Sequence, residues 1–543
     1  MFNGVIQVPH PVNEPVFDYA PGDPARAELQ ARIGELASSE VEIPLVIGGK
    51  EVRTGTMGKA ILPHRHSHVV AQYHRAGPDE VRAAIAASAE ARRDWGEWPW
   101  QERVSVFLRA AELLATRWRS TVNGATILNQ SKTPHQAEID AACELIDFWR
   151  FNARYAQEIY EQQVTSDEGV WNWLDYRPLE GFIYAVSPFN FTAIGGNLTG
   201  APALMGNTVI WKPSDSAVYA GYFVYKILEE AGLPPGVINF IPGPPVEVTE
   251  VALADPGFAG LHFTGSTEVL RSLWRQSADN LDKYHTYPRI VGETGGKDFI
   301  MVHPSAEPQA VLTAIVRGSF EYQGQKCSAA SRAYIPESIW KLIKDDLLET
   351  TESIAMGDPA DFSNYMGAVI HKGAFQKIMG YIHRARDSAD AQILVGGEGD
   401  DSEGYFIRPT IIQALKPDYE SMREEIFGPV MTVYVYPDGE WSETLSLLDR
   451  TSMYGLTGAI FARDRKAIME AHKALRYAAG NFYVNDKPTG AVVGQQPFGG
   501  ARASGTNDKA GSPLNLMRWI SPRVVKETFV SDLDYRYPFM DSE

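Results

Sequence analysis

The chain has 543 residues, and its 68 acidic and 50 basic residues give a formal net charge of −18. This length exceeds one ordinary hydrophobic core and predicts two or three domains, while a hydrophobic content of 44% excludes a disordered chain. The negative charge disfavours binding to nucleic acid or to anionic membrane surfaces. We therefore expect neither a nucleic-acid partner nor a membrane partner.

The cysteines and the first residues predict the compartment. Two cysteines, Cys143 and Cys327, are too few for a disulfide framework and are typical of a reducing environment. Arg26 is the one basic residue among residues 1–30, which is unlike a signal or transit peptide. No apolar run approaches the ~18 residues that a membrane span needs. We expect a cytoplasmic protein, and we assign no metal ligands.

The first elements are predicted from turn signals and helical spacing. The stretch up to about Ser39 is rich in Pro, Asp and Ala and indicates an extended arm that leads into a helix. The segment LVIGGKEVRTG (45–55) has Gly-Gly between two short apolar segments and predicts a hairpin. From Pro78 onward, apolar residues recur at helical spacing through DEVRAAIAASAEARRDW and QERVSVFLRAAELLATRW.

Four short apolar segments follow, each broken by Pro, Gly or Ser and separated from the next by helical sequence. They are GFIYAVSPFN (181–190), NTVIWKPS (207–214), GVINFIP (236–242) and GLHFTGS (260–266). This alternation predicts βαβ units around a largely parallel, Rossmann-type sheet. A second series, from RIVGETGGKDFIMV past YGLTGAIFA, predicts a second α/β domain.

The ends of two of these strands suit a nucleotide, although no G-x-G-x-x-G motif follows any of them. Lys212 ends a buried strand and Pro213 stops it, which leaves an ammonium group at the carboxyl edge of the sheet, where ligands bind. The segment FTGSTEVLRSLW passes through Gly265 into a helix that begins near Ser266 and offers free N–H groups to a pyrophosphate. A surface lysine and an ordinary helix cap are the alternative interpretation, but their joint occurrence favours binding.

Seven motifs carry a resemblance to a known family: SPFNF, WKPS, FTGSTEV, GETGGK, GQKCSA, EEIFGPV and PFGGARASG, in that order. They resemble the aldehyde dehydrogenase superfamily over essentially the whole chain after the N-terminal arm. The segments ETGGKDF, QKCSAASR, ELIDFWRFNA and TGAVVGQQPFGGARASGTN are similar to the Δ1-pyrroline-5-carboxylate dehydrogenases, which oxidise L-glutamate γ-semialdehyde to glutamate in proline catabolism. The resemblance implies an α/β fold with an NAD domain, a catalytic domain and a β oligomerisation flap.

The resemblance also implies the catalytic residues. Cys327 matches the family's nucleophile, Asn190 its oxyanion donor, and Glu293 the base that activates water to hydrolyse a thioester. We expect a lowered thiol pKa, to which Lys326, local N–H groups or bound cofactor contribute. An inert thiol, a turn residue and a surface charge are the alternative interpretations of the three catalytic candidates. Glu144 is a second candidate for the base.

NAD is the implied cofactor, with Lys212 and Glu425 on its two riboses, Ser266 and Gly265 at its pyrophosphate, and Phe427 beside its nicotinamide. Asp215 stands where many NAD-preferring members carry glutamate, so some use of NADP stays open.

For the substrate, the family pattern implies that Ser328 and the pair Gly490-Ala491 hold the α-carboxylate. Phe191 and Phe498 wall the aliphatic stem. These pocket segments contain no arginine, so the anchor consists of a hydroxyl and backbone N–H groups. A turn cap and an ordinary loop are the alternatives for these residues.

The resemblance sets domain boundaries and an assembly. We expect an NAD-binding domain with the N-terminal arm at 1–161 and 181–295, a catalytic domain at 296–504, and a flap at 162–180 and 505–543. The flap combines VWNWLDYRP (170–178) with RVVKETFV (523–530) and leaves an open strand edge in a monomer. We expect a homodimer or a higher homo-oligomer that receives its substrate from a separate proline dehydrogenase.

Two other functions stay open at this point. One is an aldehyde dehydrogenase for another semialdehyde, such as succinate semialdehyde. The other is a binding protein that kept the fold and lost the chemistry, which the presence of Cys327, Asn190 and Glu293 disfavours.

Overall fold

The computed structural model describes residues 4–542, and its order of elements follows the predicted alternation. The helices are α1 Pro24–Ala37, α2 Pro78–Trp95, α3 Trp100–Ala115, α4 Arg119–Gln130, α5 Pro134–Ala137, α6 Leu145–Tyr160, α7 Thr192–Leu204, α8 Val218–Glu230, α9 Pro245–Ala254, α10 Thr267–Asp279, α11 Pro308–Phe320, α12 Glu337–Glu352, α13 Lys372–Asp387, α14 Glu420–Arg423, α15 Trp441–Thr451, α16 Arg465–Ala474 and α17 Pro513–Leu516, with a π-helix at Glu138–Glu144. None of the helices within residues 4–542 combines the length and the apolarity needed to cross a bilayer.

The strands form two large sheets and several small ones. They are β1 Val41–Ile43, β2 Leu45–Ile47, β3 Lys50–Val52, β4 Met57–Leu62, β5 Arg65–His74, β6 Val170–Pro178, β7 Phe182–Val186, β8 Thr208–Lys212, β9 Ile238–Phe240, β10 Phe258–Thr264, β11 Arg289–Glu293, β12 Asp298–Val302, β13 Ala330–Pro336, β14 Ala391–Val395, β15 Gly399–Asp400, β16 Phe406–Ile407, β17 Thr410–Ala414, β18 Val430–Tyr436, β19 Tyr454–Gly455, β20 Thr457–Phe461, β21 Asn481–Val484, β22 Ala501–Arg502 and β23 Ile520–Thr528.

The first large sheet has the order β11-β10-β7-β8-β9-β2-β3. Its strands from β11 to β9 are parallel, as the four apolar segments predict. All five residues of β8 are buried, because helices cover both faces of a parallel sheet. The predicted hairpin is confirmed: β2 and β3 pair antiparallel across Gly48 and Gly49, which adopt φ of 58° and 73°.

The second large sheet has the order β14-β17-β18-β13-β12-β20-β21 and is parallel except for the pair β14 and β17. This confirms the second α/β unit. β11 ends the first sheet at Glu293 and β12 begins the second at Asp298, so the chain changes sheets through Gly295-Gly296. The carboxyl end of β11 therefore adjoins the residues that open the second sheet.

A two-stranded ribbon stands apart from both sheets. β6 pairs antiparallel with β23 over nine residue pairs, from Val170 opposite Thr528 to Pro178 opposite Ile520. Leu516 and Trp519 lie in the core that surrounds the first sheet. The ribbon therefore spans residues 170–178 and 520–528, both within the predicted flap segments 162–180 and 505–543.

Candidate active site

One cavity of about 390 Å3 is lined by residues of both large α/β units. Its lining contains seven of the predicted residues: Phe191, Glu293, Cys327, Ser328, Gly490, Ala491 and Phe498. Asn190 is buried beside Phe191. The nucleophile, base and substrate residues proposed from sequence thus surround one volume, whereas the predicted cofactor residues lie outside its lining.

The turn that presents Cys327 has an unusual backbone. Tyr322 and Gln323 adopt φ of 52° and 55°, in the left-handed region, and Gly324 follows with φ of 64°. A Cβ at Gly324 would lie 2.3 Å from the carbonyl oxygen of Gly428, so glycine is required there. The Gln323 amide donates to the carbonyl oxygens of Ser131, at 2.9 Å, and Ala368, at 2.8 Å. Such strain persists where surrounding contacts over-determine it.

The expected lowering of the thiol pKa is wrong for the protein without ligands. Burial raises the pKa of the Cys327 thiol, and carboxylates led by Asp298 and Glu425 raise it further. Lys326 pairs with a different group: its Nζ lies 3.1 Å from an oxygen of Glu321. Thiolate formation therefore needs a change that accompanies binding.

Asn190 presents its amide towards the segment that carries the thiol. Its Nδ2 donates to the carbonyl oxygen of Gln325, at 3.0 Å, two residues before Cys327. An Nδ2 group has two protons, so one remains for a further acceptor. Helix α7 begins two residues after Asn190, which fixes this side chain at the start of a rigid element.

Glu293 is a buried acid with a raised pKa. It ends β11, and its Oε2 accepts a hydrogen bond from the backbone N–H of Gly500 at 2.9 Å. Burial raises the pKa of this carboxyl to about 8, and Asp508 contributes in the same direction, whereas Lys509 opposes it. This side chain can hold or release a proton near neutral pH, as a general base must.

The predicted cofactor residues lie at the carboxyl edge of the first sheet and beside it. Lys212 ends β8 fully buried, and its Nζ has one partner among the described residues, the carbonyl oxygen of Pro213 at 3.1 Å. Ser266 caps α10 by accepting from the N–H of Val269 at 3.3 Å. The exposed start of this helix directs its N–H groups and positive dipole end outward, which suits a phosphate.

Glu425 lies against the Gly295-Gly296 crossing, and Phe427 follows it two residues later in the chain. An oxygen of Glu425 accepts from the N–H of Gly296 at 2.8 Å, and a Cβ at Gly295 would lie 2.3 Å from the same carboxylate. Phe427 has φ of 63°, and its ring meets that of Phe189 edge-on at 5.8 Å between centroids. Glycine is required at this crossing because the Glu425 carboxylate occupies the space that a side chain at position 295 would fill.

The predicted substrate anchor has one partner that the sequence did not indicate. Ser328 Oγ lies 2.8 Å from the hydroxyl of Thr489, and both side chains are buried. Gly490 adopts φ of 93°, which a residue with a side chain disfavours, and Ala491 follows it in the cavity wall. The three residues after Pro488 thus present hydroxyl and backbone N–H groups towards one region of the cavity.

Lys487, which sequence reasoning missed, lines the cavity together with Lys326 and Glu144. Lys326 and Lys487 lie 3.1 Å and 3.9 Å from the same carboxylate oxygen of Glu321, so two cations share one anion. Glu144 reaches the cavity, and within residues 4–542 no cation lies within ion-pair distance of it. Burial and the neighbouring Asp140 raise its pKa well above the ordinary value. The lysine cluster carries surplus positive charge, and Glu144 is an uncompensated acid.

The N-terminal arm forms another part of the wall, through Asn13, Glu14 and Val16. Asn13 donates to Asp147 and to the carbonyl oxygen of Val493, each at 2.8 Å. The arm thus joins helix α6 to the loop that contains Gly490. No sequence signal indicated this role, because the partners lie 134 and 480 positions apart in the chain.

Comparison with known proteins gives one family. Residues 53–525 match the family model described as "Aldehyde dehydrogenase family". A Dictyostelium discoideum protein named Delta-1-pyrroline-5-carboxylate dehydrogenase, mitochondrial, is 53% identical over 98% of this chain and 96% of its own. The human protein of the same name is 50% identical over 97% of this chain and 94% of its own.

Solved structures agree with these relatives. The Mycobacterium tuberculosis Delta-pyrroline-5-carboxylate dehydrogenase, in a crystal structure bound with NAD, is 53% identical, covers all of both chains and superposes with a TM-score of 0.97. A Bdellovibrio bacteriovorus proline utilization A structure is 30% identical with a TM-score of 0.91, and matches 96% of this chain but 54% of its own.

The raised pKa of Glu293 can be measured directly. We expect its carboxyl C=O stretching band in the infrared to disappear with a midpoint near pH 8, since the acid loses its proton there. The band should be absent from Glu293→Gln at every pH. Replacing the exposed Glu268 with Gln is the control and should leave it unchanged. A midpoint near the ordinary value of about 4.3 would contradict the burial argument.

Proposed function

We propose that this chain, which belongs to the aldehyde dehydrogenase family, oxidises L-glutamate γ-semialdehyde, formed from Δ1-pyrroline-5-carboxylate, to L-glutamate with NAD. One observation carries the proposal. A single cavity is lined by the thiol of Cys327 and by Glu293, a buried acid of raised pKa. The same cavity is lined by the proposed carboxylate anchor, by the lysine cluster and by Glu144, an acid without an ion-pair partner among the described residues. The names of the relatives supply the substrate, Δ1-pyrroline-5-carboxylate, whose open-chain aldehyde form suits these groups.

Cys327 is the nucleophile in this proposal. Its thiolate adds to the aldehyde carbon, the carbonyl π electrons move to oxygen, and a thiohemiacetal oxyanion forms. The second Nδ2 proton of Asn190 and the backbone N–H of Cys327 stabilise this oxyanion. Loss of hydride from the same carbon then leaves a thioester on Cys327.

NAD, when bound, accepts that hydride. The residues fit the cofactor in three ways: the start of α10 at Gly265 and Ser266 suits the pyrophosphate, buried Lys212 offers its ammonium group to the adenosine ribose, and Glu425 offers a carboxylate to the other ribose. Phe427 packs beside the nicotinamide. Support comes from the single hydrogen-bond partner of buried Lys212 and from the exposed start of α10 at Ser266.

Glu293 completes the cycle as the base. Once deprotonated, it takes a proton from a water molecule, whose oxygen attacks the thioester carbon. The carbonyl re-forms and Cys327 leaves as a thiolate, so glutamate is released. With a pKa of about 8 and a position in the same cavity, Glu293 suits this role. Glu144, the second candidate for the base, is instead assigned to the ammonium group of the substrate.

The charges of the cavity favour a substrate with both an α-carboxylate and an α-ammonium group. Ser328, Gly490 and Ala491 offer hydrogen bonds to the carboxylate, and the nearby lysine cluster of Lys326 and Lys487 adds positive charge. Glu144 offers its carboxylate to the ammonium group, which would restore its ionised form. Succinate semialdehyde has no ammonium group, so it would leave Glu144 uncompensated.

Phe191 and Phe498 complete the pocket. Their rings border the cavity and suit the apolar methylene stem of the substrate. An aldehyde held at its charged end and along its stem reaches Cys327 with its carbonyl group.

The wider assignments follow from the same membership. We retain residues 1–161 and 181–295 as the NAD-binding domain and 296–504 as the catalytic domain, with the β6–β23 ribbon as the contact of a homodimer or larger homo-oligomer. We propose that a proline dehydrogenase supplies the substrate, and the likeness to proline utilization A, of which this chain matches about half, supports such an association. We propose a cytoplasmic location, although the eukaryotic relatives are named as mitochondrial.

The two cysteines provide a matched test of the nucleophile, since Cys143 and Cys327 line the same cavity. Cys327→Ser should abolish NADH formation from the semialdehyde while NAD binding persists, because an alcohol is not activated here by a dedicated base. Cys143→Ser should keep most of the turnover. Stopped-flow absorbance and fluorescence of bound NADH give both readouts. Full loss in Cys143→Ser with activity in Cys327→Ser would refute the assignment.

The carboxylate anchor predicts a selective effect on KM. Ser328→Ala should raise the KM for the semialdehyde by about tenfold, since a hydrogen bond to a charged group is worth roughly 1.5–3 kcal/mol. The value for propanal, which has no carboxylate, should hardly change, and kcat should move less than KM. Ser331→Ala is the matched control, because that hydroxyl has no hydrogen-bond partner among the described residues. Equal losses on both aldehydes would mean that Ser328 serves the thiol.

A further inference from the structure

Lys132 is a fully buried lysine that the mechanism above does not use. It follows helix α4 and is 1% exposed. Its Nζ lies 2.6 Å from Oδ2 of Asp140, whose side chain is also completely buried. A buried charge pair is costly to form, so its position in the fold calls for a reason beyond stability.

The ammonium group also contacts two aromatic rings that belong to different parts of the active site. Nζ lies 4.0 Å from the ring centroid of Phe191 and 4.6 Å from that of Tyr322. Phe191 directly follows Asn190, whereas Tyr322 opens the left-handed turn that leads to Cys327. A cation between two ring faces attracts both, and more strongly where water is excluded.

Asp140 fixes the same region from the other side. Its two carboxylate oxygens accept the backbone N–H groups of Thr192, at 3.0 Å, and Ala193, at 2.9 Å, which are the first residues of α7. Phe191 at the N-cap position makes no side-chain cap, so Asp140 supplies the missing acceptor from another helix. The start of α7 is thereby held immediately after Asn190.

The π-helix Glu138–Glu144 carries both Asp140, which contacts α7, and Glu144, which reaches the cavity four residues later. Such π segments occur frequently at functional sites.

From these contacts we propose that Lys132, paired with Asp140, is a positioning residue that fixes the Asn190 amide relative to the Cys327 turn. The inference rests on the proposed role of Asn190 as oxyanion donor. Lys132 acts through Phe191 and Tyr322 and does not touch the reacting atoms.

The test uses a pair of substitutions that leaves no lone buried charge. Lys132→Met combined with Asp140→Asn removes the ion pair but keeps the side-chain volumes. A displacement of about 1 Å at a reacting centre costs about 100-fold in rate. We therefore expect the rate at which NADH forms in the first turnover, here called the burst rate, to fall by about 10-fold to 100-fold. The fall should be similar for the semialdehyde and for propanal, with KM for both little changed, because the oxyanion is common to them.

The diagnostic readout is non-additivity with Asn190→Ala. Once the oxyanion donor is gone, the Lys132 and Asp140 substitutions should lower the burst rate by no more than about twofold further, since they act through that donor. Independent, additive losses would overturn the inference, as would an unchanged burst rate. Alkylation of Cys327 by iodoacetamide without aldehyde should stay at the wild-type rate, which a general loss of structure would change.

Tyr322 provides variants that do not depend on tolerance of the double substitution. Tyr322→Phe keeps the ring face and loses a hydroxyl that has no partner among the described residues, so the burst rate should fall less than in Tyr322→Leu. Tyr322→Leu removes the ring and should lower it. Equal behaviour of the two variants would overturn the inference. If wild type formed no NADH from the semialdehyde at all, the proposed function would fail, whereas normal NADH formation by wild type with these outcomes reversed rejects Lys132 alone.

Discussion

Desolvation of one cavity is the constraint on which the active site depends. The thiol of Cys327 and the carboxyls of Glu293 and Glu144 all have raised pKa values, and burial is the largest cause in each case. A buried acid kept neutral can act as a base only when its proton has been taken up by another group or by solvent. The cavity therefore holds its reactive groups in a resting, protonated form. Charge that arrives with the ligands is the natural trigger for ionisation.

The same constraint explains the choice of substrate. Water is the usual partner of a charged side chain, and a small cavity replaces it with few alternatives. Glu144 has no ion-pair partner in the described part of the chain, and Lys326 and Lys487 share Glu321. A ligand that carries an ammonium group and a carboxylate provides ion-pair partners for Glu144 and for the lysine cluster. Selectivity then arises from the unpaired groups that a simple aldehyde would leave behind.

The sequence predicts the sheets and the reactive residues better than their surroundings. Parallel strands such as β8 are buried on both faces, so they appear as continuous apolar runs that are easy to recognise. The Cys327 segment stands within motifs whose order points to one family. By contrast, Asn13 reaches Val493 across 480 positions, and Lys132 meets Tyr322 of a left-handed turn that lies far from it in sequence. Lys326, one of the groups expected to lower the thiol pKa, pairs with Glu321, a partner that proximity to Cys327 in sequence does not indicate.

The central claim is that the cavity is built for an aldehyde with a zwitterionic end. The most direct measurement is kcat/KM for NADH formation by the purified protein with equilibrated Δ1-pyrroline-5-carboxylate, succinate semialdehyde and propanal. The account predicts the highest value for the first, a lower value for succinate semialdehyde, which lacks the ammonium group, and the lowest for propanal, which lacks both charges. A value for propanal or succinate semialdehyde equal to or above that for Δ1-pyrroline-5-carboxylate would contradict it.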